Sequence, residues 1–160
     1  MSTKTTIALF FLMSAICVTT GHAAEYAKGH EALEVFDAEG MDATPRWVMT
    51  WLMIMLATFA AGLLFVWRHP IARWVVGCFV AGIVALQITS MLGVLQLSGL
   101  IALVHIIFWS PALYQLLTKR PFMADRMTAF SIWSGVMAAV ILFSFVFDIR
   151  DALIYLNHII

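Results

Sequence analysis

The sequence predicts an all-α membrane protein: a four-helix transmembrane bundle with a short periplasmic N-terminal arm and a C-terminal amphipathic interfacial helix. Three observations carry that expectation. Hydrophobic residues make up 63% of the 160 and charged residues only 11%, against roughly 45–50% and about 25% in soluble domains. The 44 residues from Trp74 to Leu117 contain no Asp, Glu, Lys or Arg, about twice the ~20 that one helix needs to cross ~30 Å of hydrocarbon. Both charged stretches between the expected spans are basic, as cytoplasmic loops are.

Residues 1–23 have the form of a cleaved secretory signal. Lys4 precedes the apolar run Ile7 to Val18, and Gly21 and Ala23 supply small residues where a signal peptidase reads them. The arm 24–46 that follows is acidic. Glu25, Glu31, Glu34, Asp37, Glu39 and Asp42 outweigh Lys28 and Arg46, while Tyr26, Leu33 and Phe36 form the stripe of a short surface helix that Gly40 ends. His30 and Glu34 stand at i, i+4, a spacing able to hold a metal. Two ligands fall short of the three or four protein ligands of a zinc site, so the expectation here is a solvated acidic face.

Four spans follow, over 47–67, 74–95, 99–118 and 127–147. The second and third are joined by a tight turn near Gln96-Leu97-Ser98-Gly99. Arg68 and Arg73 flank one turn, and Lys119, Arg120 and Arg126 lie in or beside another. The positive-inside rule puts both in the cytoplasm. An exported N-terminus requires the same topology, with both ends of the mature chain on the periplasmic or extracellular face of the cytoplasmic (inner) membrane. Trp47, Trp67, Trp74 and Tyr114 fall at expected interfaces.

Small residues recur at four-residue spacing: Thr58 and Gly62 in the first span, Gly77, Ala81, Ala85, Thr89 and Gly93 in the second, Ser131, Gly135 and Ala139 in the fourth. Such ridges let helix backbones approach closely, which drives association in lipid. The tail 148–160 reads as a separate element. Ile149, Ala152, Leu153, Leu156 and Ile159 share one face, with Arg150, Asp151, Asn157 and His158 mostly on the other, the pattern of a helix lying in the membrane–water interface. Asp148 and Asp151 are expected beside Arg46, in a surface ion pair between first and fourth spans contributing ~0–1 kcal/mol.

Gln87 and His105 are the polar side chains expected deepest in the bilayer. Helices joined by so short a turn are neighbours, and antiparallel threading brings the two residues within a helical turn in depth. A Gln87–His105 hydrogen bond satisfies both, and Thr58, Ser90 and Ser110 complete a polar pocket. A structural role for His105 ranks first, a quinone or haem contact second, and proton conduction third. An intramembrane ionisable residue is nevertheless a functional candidate by default.

Several classes are excluded. No lysine lies within an expected span to carry a retinal Schiff base, and no Asp or Glu lies near a midplane to drive ion exchange. Cys17 and Cys78, the only cysteines, offer neither a disulfide framework nor a thiolate metal site. A net charge of zero gives no sign of nucleic acid as a partner. No nucleophile–base pair or phosphate-cradling loop is present.

The functional expectation is therefore a non-catalytic accessory or assembly subunit, without cofactor. Its partners are the lipid bilayer and other membrane proteins, or a second copy of the chain. The alternatives are a membrane redox or ligand-binding protein holding a quinone or single haem near Gln87 and His105, and a small solute carrier. Topology reporters fused at Gln96 and at Arg120 are expected to report opposite sides of the membrane. The same side for both would remove the pair of crossings on which this reading rests.

Overall fold

Where water cannot reach the backbone, a helix is the local structure that satisfies its own N–H and C=O groups, and the apolar stretches of this chain become helices. The computed structural model describes residues 31–33, 35 and 44–160. Four helices occur there: α1 (Arg46–Gly62), α2 (Pro70–Met91), α3 (Ser98–Lys119) and α4 (Ala129–Ile159). Consecutive helices pack as neighbours, α4 closes back on α1, and the α3–α4 interface is the largest. The result is an up-and-down ring of four. The signal segment 1–23, most of the arm, and with it His30 and Glu34, lie outside the described residues.

The helix boundaries depart from the expected spans in instructive ways. α1 stops at Gly62 and not at 67. From there the backbone tightens into i to i+3 bonds, Leu63, Leu64 and Phe65 donating to Ala60, Ala61 and Gly62, the shorter-pitch geometry common at helix ends. α1 is then a helix of 17 residues, so three helices and not four are long and apolar enough to cross a bilayer: α2, α4, and α3 with its following turn. α2 starts four residues early because Pro70 occupies its first position, where a missing N–H costs nothing and φ is already helical. Arg73 is thereby drawn into the first turns of the helix.

The turn after α2 falls at 92–97. Gly93 adopts φ +78°; its N–H donates to Ser90 and that of Val94 to Thr89, both at 3.0 Å. This is a Schellman motif, which needs a left-handed residue just past the helix. The Gln96 amide donates to Thr89 Oγ1 at 3.1 Å and to the Val94 carbonyl at 3.0 Å. Thr89 and Gly93, expected in a packing ridge, therefore build the turn. Gly99, expected in the turn, is buried inside α3.

The separate interfacial tail is also corrected. Residues 148–160 continue α4, which runs unbroken for 31 residues. Its start is held by Thr128 and Ser131 in a reciprocal capping box: the Ser131 N–H donates to Thr128 Oγ1 at 3.1 Å, and the Thr128 N–H to Ser131 Oγ at 2.7 Å.

The interior is aromatic. Phe59 of α1 stacks on Phe79 of α2 at 4.2 Å and tilts against Trp109 of α3 at 5.1 Å. Trp133 of α4 lies against Gly62, where a Cβ would come within 2.8 Å of the indole. Its Nε1–H donates to the Thr58 carbonyl at 2.9 Å.

The tightest point is Gly99. A Cβ there would meet Tyr155 Cβ at 2.5 Å, the Asp151 carbonyl at 2.7 Å and the Ala32 carbonyl at 2.9 Å. Two of the three are backbone atoms that cannot rotate away. Ala32 is buried and Val35 forms an antiparallel bridge with Leu97, so Ala32 and Val35 are docked at the α2–α3 turn of their own chain. Gly99→Ala is expected to lower stability by about 1–3 kcal/mol. The check is thermal unfolding in detergent, with Gly77→Ala, which meets open space, as the neutral control.

Candidate functional site

α3 and α4 bring together one pair of ionisable side chains. His105, two turns into α3, points its Nδ1 at Asp148 Oδ2 of α4 across 3.4 Å, and both side chains are largely buried. The distance is that of an ion pair and is long for an aligned hydrogen bond. Neither atom reaches solvent or has another hydrogen-bond partner among the described residues. The imidazole lies flat on the Trp109 indole, ring centres 4.0 Å apart and planes 14° off parallel. Trp109 is itself almost fully buried. One face of His105 is thus covered and one nitrogen directed.

The helix spacing explains the placement. His105 and Trp109 are i, i+4 and so share a face of α3. On α4, Ser144 and Asp148 share a face by the same rule. Ser144 is buried and its hydroxyl approaches the Met55 sulfur of α1 at 3.9 Å. Trp51 and Trp47 of α1 meet Phe143 and Phe147 at 4.4 and 6.2 Å. A carboxylate facing Nδ1 favours the tautomer with the proton on Nδ1, leaving Nε2 as the acceptor nitrogen. The pair is equipped to hold one proton between two heteroatoms. No third group joins it: no cluster of three or more metal-ligating side chains exists among the described residues.

The expected polar pocket does not assemble. Gln87 is exposed on the outer side of α2 and makes no hydrogen bond to His105; Ser90 is exposed as well. The physical reason is rotational. α2 turns its Ala72, Val75, Cys78 and Gly82 face to the bundle, and Gln87 lies off that stripe. Thr58 and Ser110 satisfy themselves within their own helices, donating to the Ile54 and Ile106 carbonyls, the usual recourse of a hydroxyl in an apolar helix. The expected Arg46 bridge is replaced too, since Asp148 turns to His105 and Arg46 is exposed.

The ridge residues divide by role. Ser131 caps α4, Gly135 faces Phe122, whose Cβ lies 3.2 Å from a Cβ built on the glycine, and Ala139 is buried. Gly77 is exposed, while Ala81 and Ala85 are half-buried. At the α2–α3 contact the close residue is Gly82, with Phe108 and Val104 at 3.6 and 3.7 Å from a built Cβ. Sequence spacing missed Gly82, and it gave Asp148 the partner Arg46 in place of His105. The signal for Asp148 was its position as the first charge after an apolar run.

Compared with protein-family models, curated proteins and solved structures, the chain matches none.

Removing one member of a buried pair strands the other, whereas replacing both with apolar groups of similar shape is close to neutral. His105→Leu and Asp148→Leu are each expected to destabilise by about 1–3 kcal/mol, and the double variant by less than the sum. Unfolding midpoints of the three variants in one detergent measure this, and strictly additive losses would show that the two side chains do not interact.

Proposed function

We propose that this chain is a small integral protein of the cytoplasmic membrane that crosses the bilayer four times, the short α1 making its crossing together with the tight turns that extend it to Arg68. Its work is non-catalytic: it packs against other membrane proteins as an accessory or assembly subunit. The charged turns carrying Arg68, Arg73, Lys119, Arg120 and Arg126 face the cytoplasm in this reading, and both ends of 24–160 face the other side.

The observation that supports it is the outer face of α2. Val80, Ile83, Val84, Ile88 and Met91 are all exposed, and Gln87 stands among them with its amide unpaired among the described residues. Gln87 is about 10 Å from the middle of α2 at ~1.5 Å per residue, inside the hydrocarbon layer if α2 spans it. An amide in lipid has no water to bind, and side chains of this kind hydrogen-bond across to a second helix. The amide carries both donor and acceptor, so a neighbouring helix of another protein or of a second copy satisfies it.

The quinone or haem alternative loses half its proposed site, because Gln87 and His105 lie on different faces. His105 retains Asp148 in its place.

A photo-crosslinking residue at Val84, one turn from Gln87, is expected to give a discrete protein adduct in native membranes. Gln87→Leu in the same chain is expected to diminish it several-fold. Adducts to lipid alone would overturn the accessory reading.

A further inference from the structure

Between α2 and α3, at the end opposite Gln87, the bundle surface opens into a groove of about 780 Å³. That volume lies within the ~300–1,000 Å³ typical of small-molecule sites. Its walls are apolar. Gly77 and Ala81 of α2 set its width, and Ile107 and Pro111 of α3 form the opposite side. A Cβ on Gly77 would have nothing within 4 Å, so the chain leaves this space empty with its own side chains.

The mouth is different in character. Arg73 and Trp74 line it, both exposed, and among the described residues no carboxylate pairs with Arg73. Across 62–130 there are five Lys or Arg (Arg68, Arg73, Lys119, Arg120, Arg126) and a single acid, Asp125, so this end of the bundle carries a clear excess of positive charge.

We infer that the groove between α2 and α3 is a binding site for one anionic glycerophospholipid, its phosphate on Arg73 and one acyl chain along Gly77 and Ala81. Charge complementarity selects this occupant. A second apolar helix lying in the groove would have to carry an acid to meet Arg73, whereas a phospholipid brings a negative headgroup and an apolar chain joined at the right level. Trp74 beside Arg73 fits the headgroup region, where amphipathic rings reside. Basic pockets between membrane helices recognise anionic headgroups in this way. The inference rests on the membrane reading above, and its site is distinct from the Gln87 face.

The test uses the full chain, purified in mild detergent and exchanged against phosphatidylglycerol or phosphatidylcholine of identical acyl chains, with bound lipid counted by native mass spectrometry. The wild type is expected to retain one phosphatidylglycerol with at least fivefold preference. Arg73→Gln is expected to erase the preference, and Gly77→Leu, which fills open space, to lower retention of both lipids severalfold. Equal retention of the two lipids by the wild type, or undiminished retention by Gly77→Leu, would overturn the assignment. So would a protein dimer lost on Gly77→Leu, which would give the groove to a second copy. Carbonate extraction of the same membranes separates the two failures: a chain released by carbonate sinks the membrane reading, whereas a chain that stays behind with an unselective groove sinks only the lipid site.

Discussion

The close approach of α3 to α4 is the constraint on which the rest of the structure depends. It is pinned at one end by Gly99, whose missing side chain admits Tyr155 and the backbone of Asp151, and at the other by Phe122 against Gly135. Between those points His105 meets Asp148. On the proposed membrane reading there is little hydrophobic drive to hold the helices together, so association relies on such close packing and on interhelical polar contacts. α1 braces the seam through Trp133, which both fills the notch at Gly62 and bonds the Thr58 carbonyl. α2 is the least enclosed of the three long helices, with 17% of its most apolar stretch buried, and it bears both the groove and the Gln87 amide that has no partner among the described residues.

Helix type and approximate position were legible because apolar runs bounded by charge and proline admit little else. Register was not. The third helix is placed to within a residue at each end, since Lys119 and Arg120 bound it. The second shifts by four, because Pro70 starts a helix more readily than the charge-free tract alone reveals, and Gly93 stops it. The polar partnership failed for a related reason. After α3 ends, 120–124 continues along α4, with Phe122 on Gly135, and that extra length slides Asp148 to the level of His105. A symmetrical hairpin between the expected spans sets His105 opposite a more central part of the fourth helix. Counting residues through a loop cannot supply an offset that the packing of one phenylalanine decides.

Most hydroxyls in the helices are satisfied by their own turn. Thr50, Thr58, Ser110 and Thr118 donate to the carbonyl four residues back, and Ser134 to the one three back. This economy makes the exceptions informative. His105 and Asp148 lack an aligned hydrogen bond yet are sealed together. Gln87 likewise makes no hydrogen bond among the described residues.

The length of α4 has a mechanical corollary. Thirty-one helical residues reach about 46 Å at ~1.5 Å each, against ~30 Å of hydrocarbon. A rod of that length in a bilayer must either stand proud by roughly 15 Å or lean. Gly99 leaves no slack between the helices, so on the proposed membrane reading α3 leans with α4 and the hairpin responds to bilayer thickness as one body. On that same reading Asp148, the first charge after the apolar run of α4, is carried toward or away from the lipid boundary by any change in tilt.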